Sequence, residues 1–113
     1  MNGRYLFGLP FVSIKINEQE VEFLIDTGFN GSLLMPLEKI QSLGLQSVAV
    51  AEYALADGSI TQSDIFEGEI NWFGIKKVAV VSSPSDFYLL GMELLRNVKT
   101  TLEPEKNKLS IEK

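Results

Sequence analysis

The chain has 113 residues, which suits a single domain of residues 1–113 and is too short for two ordinary domains. It contains no cysteine and no histidine, which excludes disulfides, Cys/His zinc sites and histidine-dependent nucleophilic catalysis. Ten Lys and Arg residues against 15 Asp and Glu residues give a net charge of −5, so we expect no nucleic-acid partner. No apolar run approaches the ~20 residues that span a bilayer, and no segment resembles a signal peptide. We therefore expect a cytoplasmic protein that does not bind a membrane.

The first part of the chain predicts strands followed by one helix. Alternating apolar and polar residues predict strands at 11–16 and 21–25, joined by a polar turn. A short apolar strand at 32–35 precedes a helix at 37–43, whose leucine and isoleucine residues have helical spacing. Gly44 is suited to end that helix.

The second part of the chain predicts mainly strands. One strand at 48–56 and another from Ser59 onward flank Asp57 and Gly58, a dipeptide typical of a hairpin. Further elements are predicted as strands at 69–73, 77–82, 88–90, 100–102 and 108–111, with a short helix at 93–97. Residues 103–113 alternate charges around two apolar residues, as in an edge or interface strand. Many short strands with one or two short helices predict an all-β fold, a small closed barrel or a sandwich.

Asp26 is the strongest candidate for a catalytic residue, and it directly follows the apolar strand at 21–25. A carboxylate at the end of a buried strand is costly unless it is hydrogen-bonded or shares a proton. Thr27 can donate or accept a hydrogen bond, and Gly28 lets a backbone or a ligand approach closely. The same tripeptide is also typical of an ordinary turn in which the Asp side chain caps its own backbone. Both interpretations stay open on these residues alone.

A second motif, Leu89-Leu90-Gly91 followed by a short helix, lies downstream of Asp26-Thr27-Gly28. Together the two motifs resemble a retroviral-type (retropepsin-like) aspartic protease, most closely the single-domain bacterial and archaeal kind. The resemblance extends over roughly residues 11–111 in the same order. It implies a small closed acid-protease barrel with one or two short helices, and it places the flap hairpin of the family at Asp57 and Gly58.

The resemblance also implies a function and a set of site residues. Asp26, Thr27 and Gly28 would form the catalytic loop of an aspartic endopeptidase that hydrolyses peptide or protein substrates without metal or cofactor. The chain has one such tripeptide, and the chemistry needs two carboxylates on one water, so the resemblance implies a homodimer with one Asp26 from each subunit. The residues predicted to contact the substrate are Phe29, Leu55, Asp57, Gly58 and Ile60. Core packing for the apolar three, and a plain surface hairpin for Asp57 and Gly58, remain alternatives.

The chain departs from the viral pattern at several positions: Asn30-Gly31 is an addition before the next strand, the helix at 37–43 is extra, and two further departures concern the active-site loop. Phe29 stands where the viral enzymes usually have a small residue, and Met92-Glu93 stands where they commonly have an Arg that supports the active-site loop. Support for the loop must therefore come from elsewhere. A bulky Phe29 beside the Asp also keeps open a catalytically inactive, protease-like peptide-binding or dimerisation module. A purely structural β domain with a chance tripeptide is the third hypothesis.

Overall fold

The computed structural model describes residues 1–54 and 57–113, and at positions 53, 54 and 61 it describes the backbone alone. The strands in this part of the chain are β1 Arg4–Leu6, β2 Leu9–Ile16, β3 Gln19–Ile25, β4 Leu33–Pro36, β5 Gln46–Ala54, β6 Ile60–Trp72, β7 Ile75–Ser83, β8 Leu89–Leu90, β9 Lys99–Glu103 and β10 Lys108–Glu112. The helices are α1 Leu37–Ser42, α2 Met92–Leu95 and a 3-10 turn at Pro104–Lys106. Of these described helices, none is long and apolar enough to cross a membrane.

One large sheet dominates the molecule. Its eight described strands have the order β1-β2-β3-β8-β4-β7-β6-β5, with β3 parallel to β8 and β4 parallel to β7. The prediction of a β fold with one or two short helices is confirmed, since the described residues are mostly strand and the two short α-helices are α1 and α2. Within the described residues no strand pairing joins β5 back to β1, so the closure of the predicted barrel is not confirmed.

The sheet bends so that the β2–β3 turn meets β6. The backbone N–H of Asn17 donates to the carbonyl of Glu69 at 2.9 Å, and the N–H of Glu69 donates to Asn17 Oδ1 at 2.9 Å. Asn17 Nδ2 donates to the carbonyl of Leu43, just after α1, at 3.0 Å. A Cβ on Gly68 would lie 2.8 Å from Ile16 Cγ2, so the close approach of β2 to β6 requires glycine there.

The core lies inside this bend. Because side chains alternate between the two faces of a strand, β2 and β3 each bury every second residue. These are Val12, Ile14 and Ile16 on β2 and Val21, Phe23 and Ile25 on β3. Trp72 is fully buried, and its Nε1 donates to the carbonyl of Leu94 at 2.9 Å, which attaches α2 to the core.

Two features of the sheet differ from the prediction. β6 is one continuous strand of 13 residues, whereas the sequence predicted one strand from Ser59 and another at 69–73. Polar residues and Gly68 interrupt its apolar pattern, but β5 pairs with its first part and β7 with its second part, so together they keep it extended. The short strand β1, which was not predicted, is held by its antiparallel pairing with β2.

The hairpin predicted around Asp57 and Gly58 does connect β5 and β6. The two strands pair as far as Ala54 and Ile60, and Gly58 has a φ of +87°, which suits glycine. Five residues separate the paired Ala54 and Ile60 in the sequence, whereas a two-residue Asp-Gly turn would leave two. Leu55, predicted to contact substrate, lies outside the described residues.

The chain termini form a small sheet of their own. β10 pairs with β9 on one side, and on the other it exchanges backbone hydrogen bonds with Met1 through Ile111 at 2.8 and 2.9 Å. The N–H of Gly3 donates to the carbonyl of Leu109 at 3.0 Å. β10 is therefore flanked on both sides, and the edge character predicted for residues 103–113 belongs instead to β9.

The bend of the sheet predicts the effect of replacing Asn17. Asn17 has a left-handed φ of +47°, and Asn17→Ala would add backbone strain and remove two side-chain hydrogen bonds. We expect the free energy of unfolding in urea to fall by about 2–3 kcal/mol. Asn107→Ala is the matched control, because Asn107 has a φ of +52° and, in the described part of the chain, its side chain makes no hydrogen bond. Equal losses in the two variants would contradict this account of the bend.

Candidate functional site

Asp26 lies at the end of β3, beside β8. The parallel pairing of the two strands places Ile25 next to Leu90, and the N–H of Asp26 donates to the carbonyl of Leu90 at 2.9 Å. Ile25 and Leu90 are both buried, whereas Asp26 is half-buried. The strand pair thus anchors the backbone at the point where the acidic side chain leaves the core.

The turn after Asp26 orients its carboxyl group. The N–H of Gly28 donates to Asp26 Oδ1 at 2.8 Å, and the N–H of Phe29 donates to the Asp26 carbonyl at 3.2 Å. A Cβ on Gly28 would lie 3.2 Å from Oδ1, a tight contact. This is the self-capping turn that the tripeptide predicts, and it leaves the second carboxylate oxygen for another partner. Thr27 and Gly28 are both exposed.

The main chain at the start of α2 supports the rest of the loop. The N–H groups of Met92 and Glu93 donate to the carbonyls of Phe29 and Gly31 at 2.8 and 3.2 Å. The N–H of Gly91 donates to the carbonyl of Ser32 at 2.9 Å. These backbone bonds hold the loop against the start of α2 without an Arg side chain at positions 92 and 93.

Steric contacts explain the glycines of this region. A Cβ on Gly91 would lie 2.5 Å from Phe29 Cδ2 and 2.6 Å from the Phe29 carbonyl oxygen. A Cβ on Gly31 would lie 2.5 Å from Phe29 Cζ. The ring of Phe29 therefore packs against both glycines, inside its own loop.

A cleft of about 720 Å³ opens beside this loop. The residues that line it include Gly28 and Asn30 of the loop, together with Phe29, Leu33, Ile65, Ala79, Val81 and Glu93. Of the residues predicted to contact substrate, Phe29 lines the cleft, whereas Asp57, Gly58 and Ile60 lie outside it. Ile60 is 69% exposed, so it is not a core residue of this chain.

Sequence reasoning missed the walls contributed by β6, β7 and α2. Val78 and Val80 point into the core, so Ala79 and Val81 face the cleft on the other side of β7. That alternation is visible in the sequence. The sequence does not show that Ala79 and Val81 line the same cleft as Glu93, because this depends on the order of the strands in the sheet.

The carboxylate at the hairpin tip is ionised near neutrality. Ser59 donates to Asp57 Oδ1 from its hydroxyl at 2.6 Å and from its backbone N–H at 2.9 Å. These bonds hold the pKa of Asp57 below its usual range, and the side chain is fully exposed. Across the described residues, no three acidic side chains come together in a way that would hold a metal ion.

Comparisons with known proteins agree with this geometry. A model of the aspartyl protease family matches residues 12–94. A retropepsin-like aspartic protease from Rickettsia conorii has a similar structure, with a TM-score of 0.69 and 22% identity over 98% of this chain and 86% of that chain. No curated protein matches in sequence.

Two more distant structures share the fold. The retroviral protease-like domain of Ddi1 from Leishmania major has a TM-score of 0.58 and 17% identity, over 91% of this chain and 87% of that domain. The EIAV protease, solved with the inhibitor HBY-793, has a TM-score of 0.55 and 17% identity, over 81% of this chain and 89% of that chain.

The packing at Gly91 predicts that Gly91→Ala displaces the Asp26 loop. The added methyl group would meet backbone carbonyls that cannot rotate away, so we expect a loss of about 1–3 kcal/mol of stability. Amide resonances of residues 26–31 should shift in two-dimensional NMR spectra. Gly74→Ala is the control, because Gly74 has a φ of +95° and no atom within 4 Å of its Cβ position. Unchanged loop resonances in Gly91→Ala would show that this packing does not position the loop.

Proposed function

The chain belongs to the aspartyl protease family and is retropepsin-like, and from this premise we propose that it is an endopeptidase whose catalytic carboxylate is Asp26. One observation carries the proposal. The carboxyl group of Asp26 is held at the end of a buried strand by the N–H of Gly28, and that glycine lines an apolar cleft. An oriented, half-buried acid beside an apolar cleft is suited to acid–base chemistry on a peptide.

We propose that the active form is a homodimer. Peptide hydrolysis by this chemistry needs one carboxylate to take a proton from water and one carboxylic acid to polarise the scissile carbonyl. The chain has one Asp-Thr-Gly, so the second acid is Asp26 of a second subunit. Two carboxyl groups about 3 Å apart do not both ionise, so the pair holds one shared proton.

The proposed reaction follows from that shared proton. The ionised Asp26 accepts a proton from the water as the water oxygen bonds to the scissile carbon. The protonated Asp26 donates its proton to the carbonyl oxygen. As the tetrahedral intermediate collapses, the C–N bond breaks and the now protonated Asp26 gives its proton to the leaving nitrogen. The other, ionised Asp26 takes a proton from a hydroxyl of the intermediate, which restores the carbonyl and the shared proton. Thr27 of each subunit is proposed to tie the two loops together across the two-fold axis.

Exposed apolar residues near Asp26 support a dimer. Phe7 is fully exposed at the tip of the β1–β2 hairpin, where its φ is +52°, and the neighbouring Leu9 is 48% exposed. β2 pairs Phe11 with Leu24, so the same register continued would bring Leu9 opposite Asp26. The tip of the β1–β2 hairpin therefore lies at the end of the sheet that carries Asp26, and a second subunit in the proposed dimer would cover it.

The terminal sheet offers a second surface to the partner. β10 is paired on both sides, but among the described residues the outer edge of β9 has no strand beside it. Leu102 on β9 is 47% exposed. An exposed strand edge favours pairing with another strand, and the equivalent β9 of a second subunit is the proposed one.

The proposed substrate is an extended peptide lying between the acid pair and the β5–β6 hairpin. Its backbone would add as a strand, and its side chains would enter pockets on alternate sides. Phe29 lines the nearest cleft. On the side of the peptide away from the acid pair, we propose contacts from Leu55, Asp57, Gly58 and Ile60.

The position of Phe29 favours an enzyme over an inactive module. The module hypothesis supposed that a bulky side chain crowds the water beside Asp26. The ring instead packs on Gly31 and Gly91, within the loop. This placement supports an accessible carboxyl group.

The proposal predicts that Asp26→Asn abolishes peptide cleavage. The amide cannot accept the proton of water, so we expect a loss of at least about 10³-fold in kcat/KM. Circular dichroism and sedimentation should show an unchanged fold and dimer. Asp86→Asn removes the same charge from an exposed site and should retain activity.

Two outcomes of that experiment separate the hypotheses. Cleavage that survives Asp26→Asn would end the enzyme proposal. A dimer that neither cleaves peptides nor binds a pepstatin-type transition-state analogue would favour the inactive module.

The exposed β1–β2 hairpin predicts that Phe7→Asn weakens the dimer without unfolding the subunit. Asn adopts positive φ more readily than Phe, so the monomer fold should be kept. We expect the dimer dissociation constant to rise about tenfold, as for a buried aromatic anchor. Leu37→Asn, at another exposed apolar position, is the control. An unchanged dissociation constant in sedimentation equilibrium would remove Phe7 from the interface.

A further inference from the structure

We infer that Glu93 makes the cleft beside Asp26 selective for a Lys or Arg side chain of the peptide. This inference rests on the proposed function, since it names the substrate class of the same site. It depends on the walls of the cleft, on the anchoring of Glu93 and on the charge around both.

The walls of the cleft suit a long side chain with an apolar stem. Phe29, Leu33, Ile65, Ala79 and Val81 provide apolar surface, and among the described residues that line the cleft Glu93 is the one that carries a charge. Lys and Arg bury their methylene stems against apolar surface while the charged end meets a carboxylate or water. A purely apolar side chain could fill the cleft but would form no ion pair with Glu93.

Glu93 is fixed relative to the catalytic loop. Its N–H donates to the carbonyl of Gly31 at 3.2 Å, and the next two residues, Leu94 and Leu95, are buried in the core. The carboxylate therefore projects from a backbone that is bonded directly to the loop following Asp26. A cation bound by Glu93 would therefore lie close to the loop that carries Asp26.

The present partner of Glu93 leaves room for a substrate cation. Arg96 Nη2 lies 3.4 Å from Glu93 Oε2, and the two side chains are 69% and 55% exposed. An exposed ion pair of this kind contributes little to stability and exchanges readily with water. A substrate cation can displace Arg96 or share the carboxylate with it, because neither charge becomes buried and unpaired.

The β5–β6 hairpin, which we propose to cover the peptide, adds negative charge to the surroundings of the cleft. Residues 46–67 contain Glu52, Asp57, Asp64 and Glu67 and no Lys or Arg. Of these, Glu67 is paired with Lys77 at 3.5 Å. With a net charge of −5 for the whole chain, the surroundings of the cleft attract a cationic peptide and disfavour an acidic one.

Binding to the Asp26→Asn protein tests the inference without relying on cleavage. The probes are fluorescent octapeptides of apolar residues in which one position at a time is Lys or norleucine, which has a stem of similar length and no charge. At one position we expect Lys to bind about 5–10 times more tightly than norleucine in fluorescence anisotropy. Adding Glu93→Gln should reduce that ratio to about one, and adding Arg96→Gln should raise it.

Glu105→Gln is the control for net charge, because Glu105 is an exposed acid on the 3-10 turn away from the cleft. It should leave the ratio unchanged. The inference is overturned if no position prefers Lys, if the preference survives Glu93→Gln, or if no peptide binds. A Lys preference that depends on Glu93, in a protein whose native form cleaves nothing, would instead uphold the inference and reject the protease.

Discussion

The structure of the site depends on backbone hydrogen bonds between two segments that are far apart in sequence. The N–H groups of residues 91–93 donate to carbonyls of residues 29, 31 and 32, and the N–H of Gly28 holds the Asp26 carboxylate. These bonds use main-chain atoms, so they require close approach of the two segments more than particular side chains. Glycine at positions 31 and 91 permits that approach, because Phe29 occupies the space that a Cβ would need.

The rest of the fold places these two segments side by side. Asp26 directly follows β3, and Gly91 directly follows the parallel strand β8. The pairing of the two strands therefore places both residues at the same end of the sheet. Trp72 fastens α2 to the core through the carbonyl of Leu94, which keeps the supporting N–H groups in position. β6 and β7 then form the opposite wall of the cleft. Core packing and site geometry are thus coupled through one short helix.

The sequence predicts those features that arise from local patterns. Alternation identifies β2 and β3, Asp57 and Gly58 identify the hairpin between β5 and β6, and Asp26-Thr27-Gly28 with Leu90-Gly91 identifies the family. It does not predict the continuity of β6, because two different partner strands keep that segment extended. Nor does it predict the backbone support of the loop or the place of Glu93 in the cleft, since main-chain bonds and strand order leave no local signature.

The central claim is that two subunits each contribute one acid to a single catalytic pair. The most direct measurement is a crystal structure of the protein with a transition-state analogue, in which the separation of the two Asp26 carboxyl groups is read. The account predicts a symmetric dimer with the two groups about 3 Å apart on the two-fold axis. A monomer, or a dimer in which each Asp26 faces bulk solvent far from the other, would contradict it.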